Sequence, residues 1–142
     1  MTIVDRGNDE SRTKIHMNAL EFDALNALAN ALTCSEPEFA GLLLGELDRA
    51  TVYSSGALPD QTVVMNSIVE YVDEVSGRIR IVKLVFPNRL GASTSHVSIT
   101  SPVGIALIGL SVGDTTMCRF PNGRQRRLRV LGVTPPDESS LA

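Results

Sequence analysis

The apolar residues of this chain repeat at two different periods, and the change falls near residues 53–60. Before it, Phe22, Leu25, Leu28 and Leu32 recur at helical spacing, and so do Phe39, Leu42, Leu43, Leu47 and Ala50. After it the spacing drops to two. Val63, Met65 and Ile68 are followed by Val69, Tyr71 and Val72, and then by Ile79, Ile81, Leu84 and Val85 with Arg78, Arg80 and Lys83 between them. A period of 3.6 and a period of two belong to different elements, so the chain reads as helices first and a sheet second.

The helical part has its own punctuation. Asn18 suits a helix N-cap, with Glu21 three residues on in the spacing of a capping box. Pro37 ends the first helix nearby and opens the second, with Ser35 or Glu36 as its cap. Two amphipathic helices joined by so short a link run antiparallel, as a hairpin with arms of roughly 15 residues, or about 22 Å. The stretch YSSGALPD, 53–60, reads as a linker. Beyond it, turns at 73–77 and 121–123, a loop at 87–95 and short strands near 97–99, 115–120 and 128–133 describe a small, mostly antiparallel β domain. The stretch SPVGIALIGLSVGD, 101–114, interrupts it. Ser101 is a natural N-cap and Pro102 fits the first helical position. Ile105, Ala106, Leu107, Ile108 and Leu110 leave no polar face, so this short helix is buried, and it feeds a tight turn at 111–114. The expected class is α+β. Residues 1–14 are a disordered tail, 15–52 a helical hairpin, 53–60 a linker and 61–142 a β domain with one short buried helix.

Charge follows the same division. The net charge is −3, but residues 1–60 carry −6 and residues 61–142 carry +3. The tail MTIVDRGNDESRTK has no apolar stretch of the kind a secretion signal needs, and no apolar run approaches a membrane span, so a cytoplasmic location is expected. Cys34 and Cys118 lie far apart with no CxxC partner and read as reduced thiols.

Little in the pattern points to chemistry. No phosphate-cradling loop, nucleophile elbow or ligand-spaced metal set is present, and His16 and His96 stand alone. The sequence therefore implies no catalytic residue, metal, cofactor or small-molecule substrate. Two features remain. Arg124, Arg126, Arg127 and Arg129 could contact phosphate or an acidic surface, although alternation with Leu128 and Val130 also describes a solvated strand face. Glu36 and Glu38 at the hairpin tip could hold a cation presented by a partner, but acids at a helix N-terminus are also favourable with the macrodipole alone.

Together these pieces resemble the Gre-factor superfamily of bacterial transcription factors. The likeness is carried by ELDRA at 46–50, VVMNS at 63–67, VSG at 75–77, Leu84, Val85 and Pro87, SPVG at 101–104, Ala106, Leu107, Gly109 and Leu110, VGD at 112–114, and the turn of Pro121 and Gly123. It covers roughly residues 40–134. The resemblance implies an FKBP-like β domain that docks on the rim of the RNA polymerase secondary channel, with Thr100, Ser101 and Pro102 at the contact. Gre factors carry an aspartate just before the Ser-Pro pair. Thr100 stands there instead, so no charge-assisted contact is expected from that position. Gre factors also reach the polymerase active centre with a long coiled coil whose tip acids help hold magnesium. A hairpin of about 22 Å leaves Glu36 and Glu38 short of it. The expected function is a non-enzymatic regulator that competes with Gre-type factors without stimulating transcript cleavage. The alternatives are nucleic-acid binding through the 124–129 arginines, with weak DNA or RNA contact, and FKBP-like prolyl isomerisation, for which Tyr71, Phe86 and Phe120 are the only rings of the β half.

Overall fold

A computed structural model describes residues 14–54, 57–89, 95–120 and 122–136. The expected tail falls outside these residues except for Lys14. So do the middle of the linker, the centre of the 87–95 loop and Pro121 of the 121–123 turn.

The N-terminal unit is a pair of packed helices bracketed by two short strands: β1 (Ile15–Asn18), α1 (Ala19–Ala31), α2 (Pro37–Asp48) and β2 (Ala50–Tyr53). Asn18 caps α1 as its sequence position predicts, its Oδ1 accepting from the Glu21 N–H at 2.8 Å. Pro37 begins α2, and Glu36 is its N-cap without a side-chain bond. The expectation of helix throughout 15–52 is corrected at both ends. Ile15 and Met17 are buried while His16 and Asn18 are less so, the alternation of a strand. β1 pairs in parallel with β2, from Ile15 opposite Ala50 to Asn18 opposite Tyr53. Ala50 therefore leaves the helical stripe and Tyr53 leaves the linker. His16 Nδ1 lies 2.9 Å from the Tyr53 hydroxyl.

Leu25, Ala29, Phe39, Leu43 and Leu47 supply the buried faces of the helices. Leu42, expected among them, is 55% exposed. Successive helical residues are about 100° apart, so three consecutive leucines at 42–44 cannot share one face. The helices are 13 and 12 residues long, about 20 and 18 Å, slightly shorter than their spacing predicts.

The second unit is a five-stranded sheet in the order β5-β4-β3-β7-β6. Its strands are β3 (Ile68–Asp73), β4 (Ile79–Val85), β5 (His96–Ser98), β6 (Thr115–Arg119) and β7 (Gln125–Thr134), with α3 (Pro102–Leu107) between β5 and β6. All pairs are antiparallel except β4–β5. The period of two does not begin in a strand at Val63. Gln61 and Asn66 have positive φ, and Val63 instead exchanges backbone hydrogen bonds with Leu110 and Gly109, at 2.7 and 2.9 Å.

The isoleucines of β4 face the opposite way from their apolar character. Ile79 and Ile81 are 55% and 60% exposed. The register decides this: Val82 lies opposite Val69 and Arg80 opposite Tyr71, and Val69, Tyr71, Val82 and Leu84 are all buried. Once that set fills the core, a period of two sends Ile79 and Ile81 to the outer face and puts Arg80 on the Tyr71 face, beyond the covered part, where it stays exposed.

One core joins the two units. Ile15, Met17, Leu25 and Leu43 share it with Val69, Leu84, Leu107 and Leu110. Gly109, at φ +82°, lets the chain pass against Ile15, and its carbonyl accepts from His16 N at 2.9 Å.

Glu21 adds a polar link. In a capping box its carboxylate would return to Asn18. Here Oε2 accepts from Met65 N at 2.9 Å, and Oε1 is buried without a partner. Burial pushes this carboxyl up to about 7, against the opposing pull of the Met65 N–H. Between pH 4.5 and about 7 the folded chain thus holds a proton that the unfolded chain has released. That contribution to stability is complete at low pH and is lost as pH rises through about 7. Glu21→Gln keeps an acceptor for Met65 and removes the titration. Urea midpoints at pH 5 and pH 8 should show the parent losing on the order of 2 kcal/mol more than the variant across that range. Parallel losses would contradict the assignment.

Candidate docking site

The corner between β5 and α3 is built around Ser98, which is buried. The Ser98 carbonyl accepts from Ser101 N at 3.0 Å and from Ser101 Oγ at 2.7 Å. Ser98 Oγ accepts from Thr100 N at 3.0 Å and lies 2.7 Å from Thr100 Oγ1. Ser101 Oγ in turn accepts from Gly104 N at 3.1 Å and caps α3. Five bonds among four residues leave the corner little freedom, and Pro102 removes one more torsion.

Of the three corner residues singled out in the sequence, Thr100 and Pro102 line a surface groove of about 620 Å³. Ser101 does not line it and serves the cap instead. Ile105 and Phe120 continue that wall, with Arg119 beside them. The opposite wall comes from the start of α2: Glu36, Glu38, Phe39 and the exposed Leu42. The tip acids and the Ser-Pro corner, more than 60 residues apart in the chain, therefore border one groove. Phe39, Leu42, Ile105, Arg119 and Phe120 were not legible as site residues. Leu42 carried the one available signal, as an excess leucine that its helix could not bury.

The arginine hairpin is laid out differently. Arg126 pairs with Asp73 at 2.7 Å and Arg129 with Glu74 at 2.7 Å, while Arg127 lies 4.0 Å from Glu74. The Arg126 guanidinium, helped by the Val75 and Ser76 amides, holds the Asp73 carboxyl below its usual range. Arg124 is exposed at the turn. Three of the four cations thus face acids of the β3–β4 turn, which cancels much of the field a nucleic acid would meet. Among the described residues no group of three or more His, Cys, Asp or Glu could hold a metal ion, and no helix is long and apolar enough to cross a membrane.

Comparison with known proteins agrees with the likeness carried by the motifs. Residues 58–135 match the family described as transcription elongation factor, GreA/GreB, C-terminal. The chain is 36% identical over 135 residues to the regulator of nucleoside diphosphate kinase of Escherichia coli K12, covering 92% of this chain and 96% of that one. It is 29% identical over 113 residues to transcription elongation factor GreA of Beijerinckia indica, covering 80% of this chain and 71% of that one. A solved structure described as prokaryotic transcription elongation factor GreA/GreB from Nitrosomonas europaea superposes with a TM-score of 0.69 at 35% identity, over 87% of this chain and all of that one.

Proposed function

The chain belongs to the GreA/GreB C-terminal domain family of transcription elongation factors, and from that premise we propose that it regulates transcription by docking on the rim of the RNA polymerase secondary channel. It occupies the place of Gre-type factors there and does not stimulate transcript cleavage. The relatives it matches are named as regulators and elongation factors, not as catalysts. The sheet unit is the docking body, FKBP-like in architecture, and the helix pair within 15–52 is its short antiparallel arm.

The observation that carries this reading is the shared groove. A docking body offers its partner a rigid apolar surface with charged groups at the rim. Pro102, Ile105, Phe120 and Leu42 supply the apolar part, while Glu36, Glu38 and Arg119 supply the rim. The bonded corner keeps that surface preorganised, which reduces the ordering cost of binding. Arms of about 20 Å, ending beside the docking body, keep the tip acids out of a distant active centre. The acidic helix pair would still speed encounter with a basic channel mouth.

Pro102→Asp tests the docking surface. An acid is favourable at a helix N-terminus, so α3 is retained and the melting temperature should stay within a few degrees. The new carboxylate would have to lose its water in an apolar groove, so affinity for RNA polymerase should fall at least about tenfold. Unchanged affinity in a folded variant would overturn the assignment of the groove.

A further inference from the structure

The inner face of β4 carries a second site. On the face of β4 that carries Val82 and Leu84, the next position is Arg80, and Arg78 follows in the same phase just before the strand begins; both are exposed, where a fully covered sheet face would carry apolar residues. Both arginines line a concave pocket of about 520 Å³ on the inner face of the sheet, together with Arg126 and Asp73. Asp73 is engaged by Arg126. Neither Arg78 nor Arg80 forms an ion pair among the described residues. The pocket thus holds three cations against one anion, an excess of two positive charges. Leu128 closes the floor, and the rings of Tyr71 and Phe120 form walls. Tyr71 is 5% exposed, and burial raises its hydroxyl above the ordinary range.

We propose that this pocket binds a free nucleotide carrying at least two phosphates. Arg78, just before β4, and Arg80, within it, are two residues apart in the chain, within about 7 Å at the backbone, and can each present a guanidinium fork to phosphate oxygens. Two uncompensated cations supply one guanidinium for each phosphate of a diphosphate. The volume lies within the range of small-ligand sites, and the part-exposed Phe120 ring offers a flat base a face to pack against. A polypeptide partner would need an open groove along the sheet, whereas this cavity is bounded on its sides by Phe120 and by Val103 of α3. Phe120 also lines the docking groove, so the two sites share a wall. The proposal stands whether or not the groove meets polymerase.

The test is calorimetric titration of the full chain with GDP, ADP, pyrophosphate and adenosine, each up to about 5 mM. GDP or ADP should bind with sub-millimolar affinity, pyrophosphate at least tenfold more weakly, and adenosine below detection. The double variant Arg78→Ala/Arg80→Ala removes two exposed side chains, so the fold is kept, and nucleotide affinity should drop at least tenfold. Lys83→Ala, on the outward face of the same strand, should bind as the parent does. Absence of nucleotide binding, or binding unchanged in the double variant, would overturn the site. Pyrophosphate binding as tightly as GDP would overturn the nucleotide assignment, and an acidic peptide binding more tightly than either nucleotide would replace it with a protein ligand.

Discussion

A Gly104→Ala variant is expected to lose at least about 3 kcal/mol of stability and to melt on the order of 10 °C below the parent. Helix propensity alone predicts the opposite sign, since alanine is favoured over glycine inside a helix by about 1 kcal/mol. Packing decides. A Cβ on Gly104 would overlap the Ser98 carbonyl oxygen and stand 2.9 Å from Ile99 Cα. Both neighbours are backbone, and neither can rotate away. The Ser98 carbonyl is also the acceptor for Ser101 N and Oγ, so displacing it breaks the bonds that build the corner. Gly45→Ala is the matched control. It lies in α2, is exposed, and its added Cβ meets nothing within 4 Å, so that variant should gain a few tenths to about 1 kcal/mol. Thermal unfolding of the two variants separates the effects. A Gly104→Ala chain that melts at or above the parent would show that α3 does not pack on β5 in this way.

What the sequence revealed was mostly local. The Asn18 and Ser101 caps, Pro37 and Pro102 at helix starts, and the 111–114 turn each depend on neighbours within four residues. The chemistry that dictates them is therefore written in consecutive positions. What stayed hidden depends on distant pairing. β1 and β2 are four-residue strands 35 positions apart, and their parallel pairing leaves no turn signal between them. The phase of β4 is set by Val69 and Tyr71 on another strand, so the alternation of isoleucine and arginine could be read either way until the register was known. The same holds for the sites. Thr100, Pro102, Glu36 and Glu38 were each visible as isolated features, but only the fold brings them to one groove. The arginine pocket was invisible because Arg78 and Arg80 look like the solvated face of a strand. Glu21 looked like half of a capping box and turned out to reach 44 residues along the chain.

The central claim is that the docking surface is retained while the reach of the arm is lost. Two consequences separate this from neighbouring accounts. A chain that docks but cannot reach must lower cleavage in the presence of a Gre-type factor, because occupancy of one rim site is exclusive. The same chain must give no cleavage on its own, because helices of about 20 and 18 Å end beside the docking body. Inhibition should be overcome by adding more of the competing factor, as mass action at a shared site requires. Glu36→Gln/Glu38→Gln, which removes the tip acids, should leave cleavage by this protein alone at background, slow association through weaker steering, and raise the concentration needed to inhibit a Gre-type factor in the same proportion.

The most direct measurement titrates this protein into RNA polymerase holding a labelled Gre-type cleavage factor, and follows displacement of the label and cleavage of a backtracked transcript in the same samples. The account predicts that the label is displaced and that cleavage falls in proportion, with no cleavage above background from this protein alone. Full retention of the label at saturating protein, or cleavage stimulated by this chain itself, would contradict it.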